Sequence, residues 1–316
     1  MTAAIRLGSR TSPLAMAQSR LVQAMLAAAF GGGLEEFPIE GITTTGDQIQ
    51  DRRLIDAGGK GLFTKELDEA LIERRIDAAV HSMKDLPTKL PPGLSLACVP
   101  SREDVRDAFI SAEAAQLMQL KPGATVGTAS LRRQAQTLYL RPDLNVVTLR
   151  GSVQTRLSRL KSGDIDATFL AMAGLTRLGL TDSARSPVPT DLMPSAAGQG
   201  ALAVTCREDD TVVREMLSRL TVRKYEIATL AERAFLDALD GSCRTPIGAV
   251  ASVEDSSLSF IGEVLTPNGA KRWRKSARVA LGADPQSDAD SLGRRLGAEI
   301  RAEAGAEFQP DGAIGW

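Results

Sequence analysis

The chain is short of several residues on which common functions depend. One histidine among 316 residues rules out zinc sites of the HExxH kind and any metal centre built on paired histidines. Cysteine occurs three times, at Cys98, Cys206 and Cys243, and no two form a CxxC. A disulfide framework or zinc knuckle is therefore not expected, and a reducing compartment is. Aromatics make up 4% of the residues, too few to interleave with cations as a stacking platform for nucleic acid. The net charge of −1, from 38 Lys+Arg against 39 Asp+Glu, provides no global attraction to a polyanion. The most apolar stretch, Leu14–Phe30, is broken by Gln18, Ser19, Arg20 and Gln23 and does not read as a membrane span. The N-terminus lacks the basic-then-apolar pattern of a secretory signal. The expectation is a cytoplasmic protein with neither a membrane nor a nucleic-acid partner, and with no metal.

What is present is an ordinary globular mix, 43% hydrophobic and 24% charged, long enough for two or three domains. One skew stands out: 29 Arg and 9 Lys make up the 38 cations. A GC-rich genome is one explanation; a need for planar forks that grip carboxylates or phosphates is the other. Short apolar runs alternate with helical patterns through the first three-quarters. Strands are expected at Ile5–Leu7, Ile39–Thr44, Ala78–His81, Thr125–Thr128, Val146–Leu149 and Ala167–Ala171. Helices are expected after Ser12-Pro13 and at Lys65–Arg75, Leu131–Leu140 and Val153–Lys161. Such alternation implies open, mainly parallel α/β sheets. Ile76-Asp77-Ala78 before one strand and Ile165-Asp166-Ala167 before another hint at two similar lobes, with Pro91–Gly93 and Ser101–Asp107 as candidate crossings between them. Beyond Leu220 a helix (Glu226–Leu239), three runs suited to an antiparallel sheet and a last helix (Ser287–Ala304) suggest a third, α+β domain.

Arginines recur at strand-to-helix turns: Arg10 before Ser12, Arg132 and Arg133 after Ser130, Arg150 before Gly151-Ser152, Arg156 one turn on, and Arg177 after Gly174. Helix N-termini and the carboxyl ends of strands in open sheets are where anions bind. Between Gly127 and Arg177 eight Lys/Arg face three acids, so the ligand should carry several anionic groups. Nucleotide fingerprints fail, because Gly58-Gly59-Lys60-Gly61 lacks the spacing and hydroxyl of a P-loop. Several small carboxylates fit better. His81-Ser82-Met83-Lys84-Asp85 places a cation and an acid at a strand's carboxyl end, where Asp85 is either chemical or half of a surface pair. His81 suits packing or hydrogen bonding better than catalysis. Cys243, in Gly241-Ser242-Cys243-Arg244, is either an accessible thiol or a small buried filler.

Taken together, GSRTSPLA (8–15), GGKGLFTKEL (58–67), AVHSMKDLP (79–87), VGTASLRRQ (126–134), LRGSVQTRL (149–157), LAMAGLTRLG (170–179), AAGQGAL (196–202), AERAFL (231–236) and GSCRTPIG (241–248) resemble the porphobilinogen deaminase (hydroxymethylbilane synthase) family. The resemblance implies two doubly wound lobes, like those of periplasmic binding proteins, over residues 1–100 with 200–219 and over 105–195. A smaller α+β domain with an antiparallel sheet, 222–316, would carry the cofactor. It further implies a dipyrromethane joined by a thioether to Cys243, and Asp85 as the catalytic carboxylate. Arg10, Ser12, Lys84, Thr128, Ser130, Arg132, Arg133, Arg150, Arg156, Arg177 and Gln199 would bind acetate and propionate groups of cofactor and substrate. Lys60 would belong to a segment covering the cleft, with the polar run Asp47–Gly59 before it reading as such a lid, and the protein would be a monomer.

The implied reaction joins four porphobilinogen molecules into a linear tetrapyrrole with loss of ammonia. Residue chemistry agrees with it. Losing ammonia leaves an electropositive azafulvene that a carboxylate can stabilise, and two carboxylates per ring explain so many arginines. Two departures from the family pattern are visible: Ala129 stands where a serine is expected, and Ser242 and Arg244 flank the attachment cysteine instead of the commoner GGC context. A two-lobed binder of multi-carboxylate ligands and a nucleic-acid binder are the competing classes. Ammonia release and salt-dependent affinity, respectively, would separate them.

Overall fold

The computed structural model describes residues 5–48, 61–184, 186–241 and 245–307. Its strands are β1 (Leu7–Arg10), β2 (Ile39–Ile42), β3 (Ala78–Ser82), β4 (Leu94–Cys98), β5 (Asp107–Ser111), β6 (Thr125–Gly127), β7 (Asn145–Val147), β8 (Ala167–Ala171), β9 (Ser186–Pro187), β10 (Leu202–Arg207), β11 (Ile247–Glu254), β12 (Ser257–Leu265) and β13 (Arg272–Ala280). Among them run α1 (Pro13–Phe30), a single turn α2 (Thr45–Gln48), α3 (Lys65–Ile72), α4 (Leu131–Leu140), α5 (Val153–Lys161), α6 (Met172–Arg177), α7 (Thr211–Ser218), α8 (Arg223–Ala238) and α9 (Pro285–Ala304).

Local chemistry accounts for the first unit. The Ser12 hydroxyl accepts from Ala15 N at 3.3 Å and Pro13 opens α1, which ends at Gly31 in the left-handed region. Ala15, Gln18, Ser19, Val22 and Leu26 share the buried face, the spacing of a helix lying on a sheet. Leu7, Ala78, Val80, Leu202 and Val204 form the sheet side of that core. β10 is buried at every position because layers cover both of its faces.

The two larger sheets have the same plan. The first runs β2-β1-β3-β10-β4 and the second β7-β6-β8-β5-β9. In each the first three strands are mutually parallel, and the fourth is antiparallel to both its neighbours. Four of five strands therefore share one direction, and the reversed strand, β10 or β5, is the one that arrives from the other lobe. The Ile-Asp-Ala echo marks equivalent sites. Asp77 accepts from Arg6 N at 2.9 Å and Asp166 from Thr125 N at 2.6 Å, each capping the backbone where the neighbouring strand begins.

Of the two expected crossings, Ser101–Asp107 leads from β4 into β5. Pro91–Gly93 does not cross: it leads into β4, which pairs with β10 inside the first sheet. The outgoing and returning segments pair with each other, through an Arg102↔Ala201 bridge and the bond from Glu103 N to Gly200 O at 3.1 Å. The third unit is the antiparallel sheet β11-β12-β13 backed by α8 and α9, with Phe235, Phe260, Leu258, Leu292 and Ile300 in its core. No helix among the described residues is long and apolar enough to cross a membrane.

Candidate active site

β1 and β3 are parallel neighbours, so their carboxyl ends deliver Arg10 and the Met83–Asp85 turn to one place. Arg10 Nη1 lies 3.8 Å from Asp85 Oδ2. The rest of its fork is held by Asp47: Nε donates at 3.1 Å and Nη2 makes a second, shorter bond. The Phe63 ring covers the same guanidinium, with Cζ 4.2 Å from the ring centroid. Burial opposes the charge of Asp47, but Arg10 and the Thr44 hydroxyl outweigh it and hold its carboxyl below the usual range. Asp85 is half-buried. His81 lies beneath, its Nε2 3.1 Å from Thr205 Oγ1; burial, with the nearby Arg10 charge, drives its imidazole down to about 3. It is a neutral hydrogen-bonding residue of the core.

The second lobe supplies a denser set of cations. Ser130 caps α4 by accepting from Arg133 N at 3.4 Å, and the Thr128 hydroxyl accepts from Ser130 N at 3.1 Å. Arg132 and Arg133 are buried against Asp107, a carboxylate with no exposed surface. Arg133 Nη2 donates to Oδ1 at 2.7 Å, and Arg132 Nη1 lies 2.9 Å from Oδ2. Burial opposes the Asp107 charge, but the two guanidiniums prevail and hold it well below the ordinary carboxylate range. Gln199 Nε2 donates to Asp107 Oδ1 and to Val105 O, each at 2.8 Å, while its Oε1 receives Lys84 Nζ at 3.4 Å. Desolvation lowers the Lys84 ammonium to about 8, although Asp85 and Asp107 pull the other way.

Arg150 and Ser152 lie at the start of α5. Arg156 Nε donates to Gly151 O at 3.0 Å. Desolvation, reinforced by the charges of Arg133 and Arg150, brings the Arg156 guanidinium down to about 10, the signature of cations crowded together. Arg177 ends α6 instead of starting a helix as its turn suggested, and its Nη2 donates to Gly200 O at 2.7 Å. The Gly198-Gln199-Gly200 turn requires glycine at both ends. Both residues have positive φ, and a Cβ would come within 2.5 Å of Met83 Cγ at Gly198 and of Glu103 O at Gly200. That close approach threads Gln199 between the lobes.

Cys243, Lys60 and most of the expected lid, residues 49–60, lie outside the described residues. Whether this site suits a group bearing several carboxylates can be read from its unspent donors. Arg132, Arg133 and Arg177 each bury an Nε with no hydrogen-bond partner among the described residues. With Lys84, Arg150 and Arg156 they form a cation-rich set drawn from both lobes, which fits dipyrromethane and its acetate and propionate arms.

Four participants escaped sequence reasoning as site residues. Asp107 could have been flagged as a lone acid opening an otherwise apolar run, Asp107–Ser111. Phe63 and Asp47 gave no signal, since their roles depend on Gly46 N bonding to Leu62 O at 2.8 Å. Glu232, on the buried face of α8, grips Arg102 Nη2 at 2.7 and 3.0 Å and accepts from Gly198 N at 2.7 Å and Ala251 N at 2.6 Å. It ties the interlobe turn to the third unit.

Comparison with known families gives two adjoining matches. Residues 5–215 match the model "Porphobilinogen deaminase, dipyromethane cofactor binding domain", and residues 227–302 match "Porphobilinogen deaminase, C-terminal domain". A porphobilinogen deaminase of Caulobacter vibrioides is 52% identical over 310 residues, covering 95% of this chain and 96% of that protein. One from Phenylobacterium zucineum is 49% identical, covering 95% and 97%. Among solved structures, the methionine-binding protein MetQ covers 73% of this chain and 93% of its own, at 15% identity and a TM-score of 0.42.

Proposed function

Since the chain belongs to the porphobilinogen deaminase family, we propose that its described residues divide the work of that reaction between Asp85, at the reacting centre, and a two-lobed set of cations around it. The enzyme is a transferase of tetrapyrrole biosynthesis. It deaminates porphobilinogen and joins four molecules head to tail into hydroxymethylbilane, with a dipyrromethane as primer. When bound, that group supplies the α-carbon to which the first ring is joined.

Asp85 faces the developing positive charge of the pyrrole as ammonia leaves and takes up or returns the ring proton. Carboxylate assistance of this kind contributes on the order of 10²–10⁴ in rate. Arg10, whose Nη1 lies 3.8 Å from Asp85 Oδ2, adds a positive charge beside that carboxylate. Lys84, Arg132, Arg133, Arg150, Arg156, Arg177 and Gln199 take the acetate and propionate groups, and Ser12, Thr128 and Ser130 add hydroxyl or helix-cap donors. Cys243 is the attachment point and Lys60 part of the cover. We assign residues 1–100 with 200–219 to the first lobe, 105–195 to the second and 222–316 to the cofactor domain, and place the enzyme in the cytoplasm as a monomer without nucleic-acid partners.

The observation that carries this reading is the gathering of second-lobe arginines around Asp107 and Gln199, whose far end meets the first-lobe Lys84 next to Asp85. Intact mass spectrometry tests it. The purified protein should exceed its sequence mass by two linked pyrrole units, localised to the Cys243 peptide. A fully active protein of unmodified mass would overturn the assignment.

A further inference from the structure

We infer that Asp107 is a positioning residue for this reaction: one buried carboxylate sets the place of Arg132, Arg133 and Gln199 and through them registers the two lobes against each other. The inference rests on the carboxylate-binding roles proposed above.

Arg132 and Arg133 are consecutive on α4, and consecutive helical side chains do not face one another. Their guanidiniums meet only because a single carboxylate stands between them, with Arg133 on Oδ1 at 2.7 Å and Arg132 at 2.9 Å from Oδ2. The remaining bonds aim the forks: Arg133 Nη1 donates to Phe169 O at 2.8 Å, and Arg132 Nη1 to Gln136 Oε1 at 2.9 Å and Pro194 O at 3.1 Å. Two cations on one anion leave a net positive charge at the floor of the site, whereas an ordinary structural ion pair would leave none. Gln199 then joins the same oxygen from the returning crossing, and its far end meets Lys84 beside Asp85. Both connections between the lobes thus reach this one carboxylate, because Asp107 itself ends the outgoing segment. With no exposed surface, Asp107 cannot touch substrate. It acts by where it holds the groups that do. A displacement of about 1 Å in such groups is enough to cost roughly 10²-fold in rate.

The test compares Asp107→Asn and Asp107→Glu with the parent holoenzyme, scoring turnover per cofactor-loaded molecule counted by intact mass. Asp107→Asn removes the charge while keeping the shape. We expect its kcat to fall about 10- to 100-fold while KM for porphobilinogen stays level or drops, since guanidiniums freed from their internal partner grip carboxylates no less well. Asp107→Glu restores the charge one methylene further out. It should recover thermal stability and cofactor loading yet keep kcat depressed several-fold. Turnover within twofold of the parent in each folded, loaded variant overturns the inference. So does failure of both variants to accumulate as folded protein, the outcome of a purely structural residue. Arg132→Gln and Arg133→Gln are assayed alongside. Full turnover in those two removes the carboxylate-binding assignment itself, whereas their loss beside intact Asp107 variants removes only the role of Asp107.

Discussion

Replacing Glu232 by alanine probes how the third unit is fastened to the interlobe turn. The carboxylate is completely buried and Arg102 is 4% exposed at its side chain, so the substitution strands a guanidinium out of reach of water. It also deprives Gly198 N and Ala251 N of their acceptor. Removing one partner of a buried ion pair costs about 3–5 kcal/mol, and each orphaned buried donor about 1–3 kcal/mol, partly overlapping. Glu232→Ala should therefore lie at the upper end of the first range. The double variant Arg102→Leu/Glu232→Leu, which removes both charges, should be less damaged than the single one. Trp273 sits in β13 against the core of the third unit, and replacing Trp316 by phenylalanine leaves it the sole tryptophan. Urea unfolding followed by its fluorescence should show the midpoint falling by roughly 1 M or more, at a slope of about 1–3 kcal/mol per molar. A fall of less than roughly 0.3 M would refute the reasoning, as would a double variant worse than the single one.

Other perturbations give equally direct outcomes. Asp85→Asn should retain the parent's thermal midpoint and mass while ammonia release falls on the order of 10²–10⁴-fold; turnover within tenfold of the parent would remove Asp85 from the centre. The Lys84 ammonium persists below about 8 and is lost above it, so KM for porphobilinogen should rise between pH 7 and 9. Lys84→Arg, cationic throughout, should flatten that rise. His81 is protonated in the unfolded chain near 6.5 but in the fold only near 3, so the unfolded state binds more protons between those values and stability falls as pH is lowered. At about 1.4 kcal/mol per unit the loss from pH 6.5 to 5 is about 2 kcal/mol. His81→Asn should start less stable at pH 7.5 but lose that slope in urea titrations.

How much of this could be read in advance follows from how local each cause is. α4 and α5 fall on their expected residues because cap, periodicity and terminus all lie within ten residues of one another. The Ile-Asp-Ala echo marked equivalent positions because its aspartates act on the strand next door. β5 is not among the expected strands, and only its first residue falls in a candidate crossing, since its partners β8 and β9 lie far along the chain and nothing local announces an antiparallel strand in a parallel sheet. The same distance hid Asp107: Gln199, which shares its oxygen, is 92 positions away. The arginines were visible as a charge excess, but the carboxylate that gathers two of them was not, because an acid–base pair contributes nothing to a net count. For Cys243, which local sequence left undecided, the family motifs supply an expectation that no local pattern could.

The single reversed strand in each sheet has a consequence for how the chain is made. All five strands of the second sheet lie within residues 107–187, so that lobe possesses every piece of its sheet once it leaves the ribosome. The first sheet lacks β10, which sits between β3 and β4 and ends at Arg207. Until about a hundred further residues have been synthesised, β3 and β4 present unpaired backbone edges, a hazard for association between nascent chains. The lobe encoded first is thus the one completed last, and the strand that closes it comes from the segment carrying Gln199.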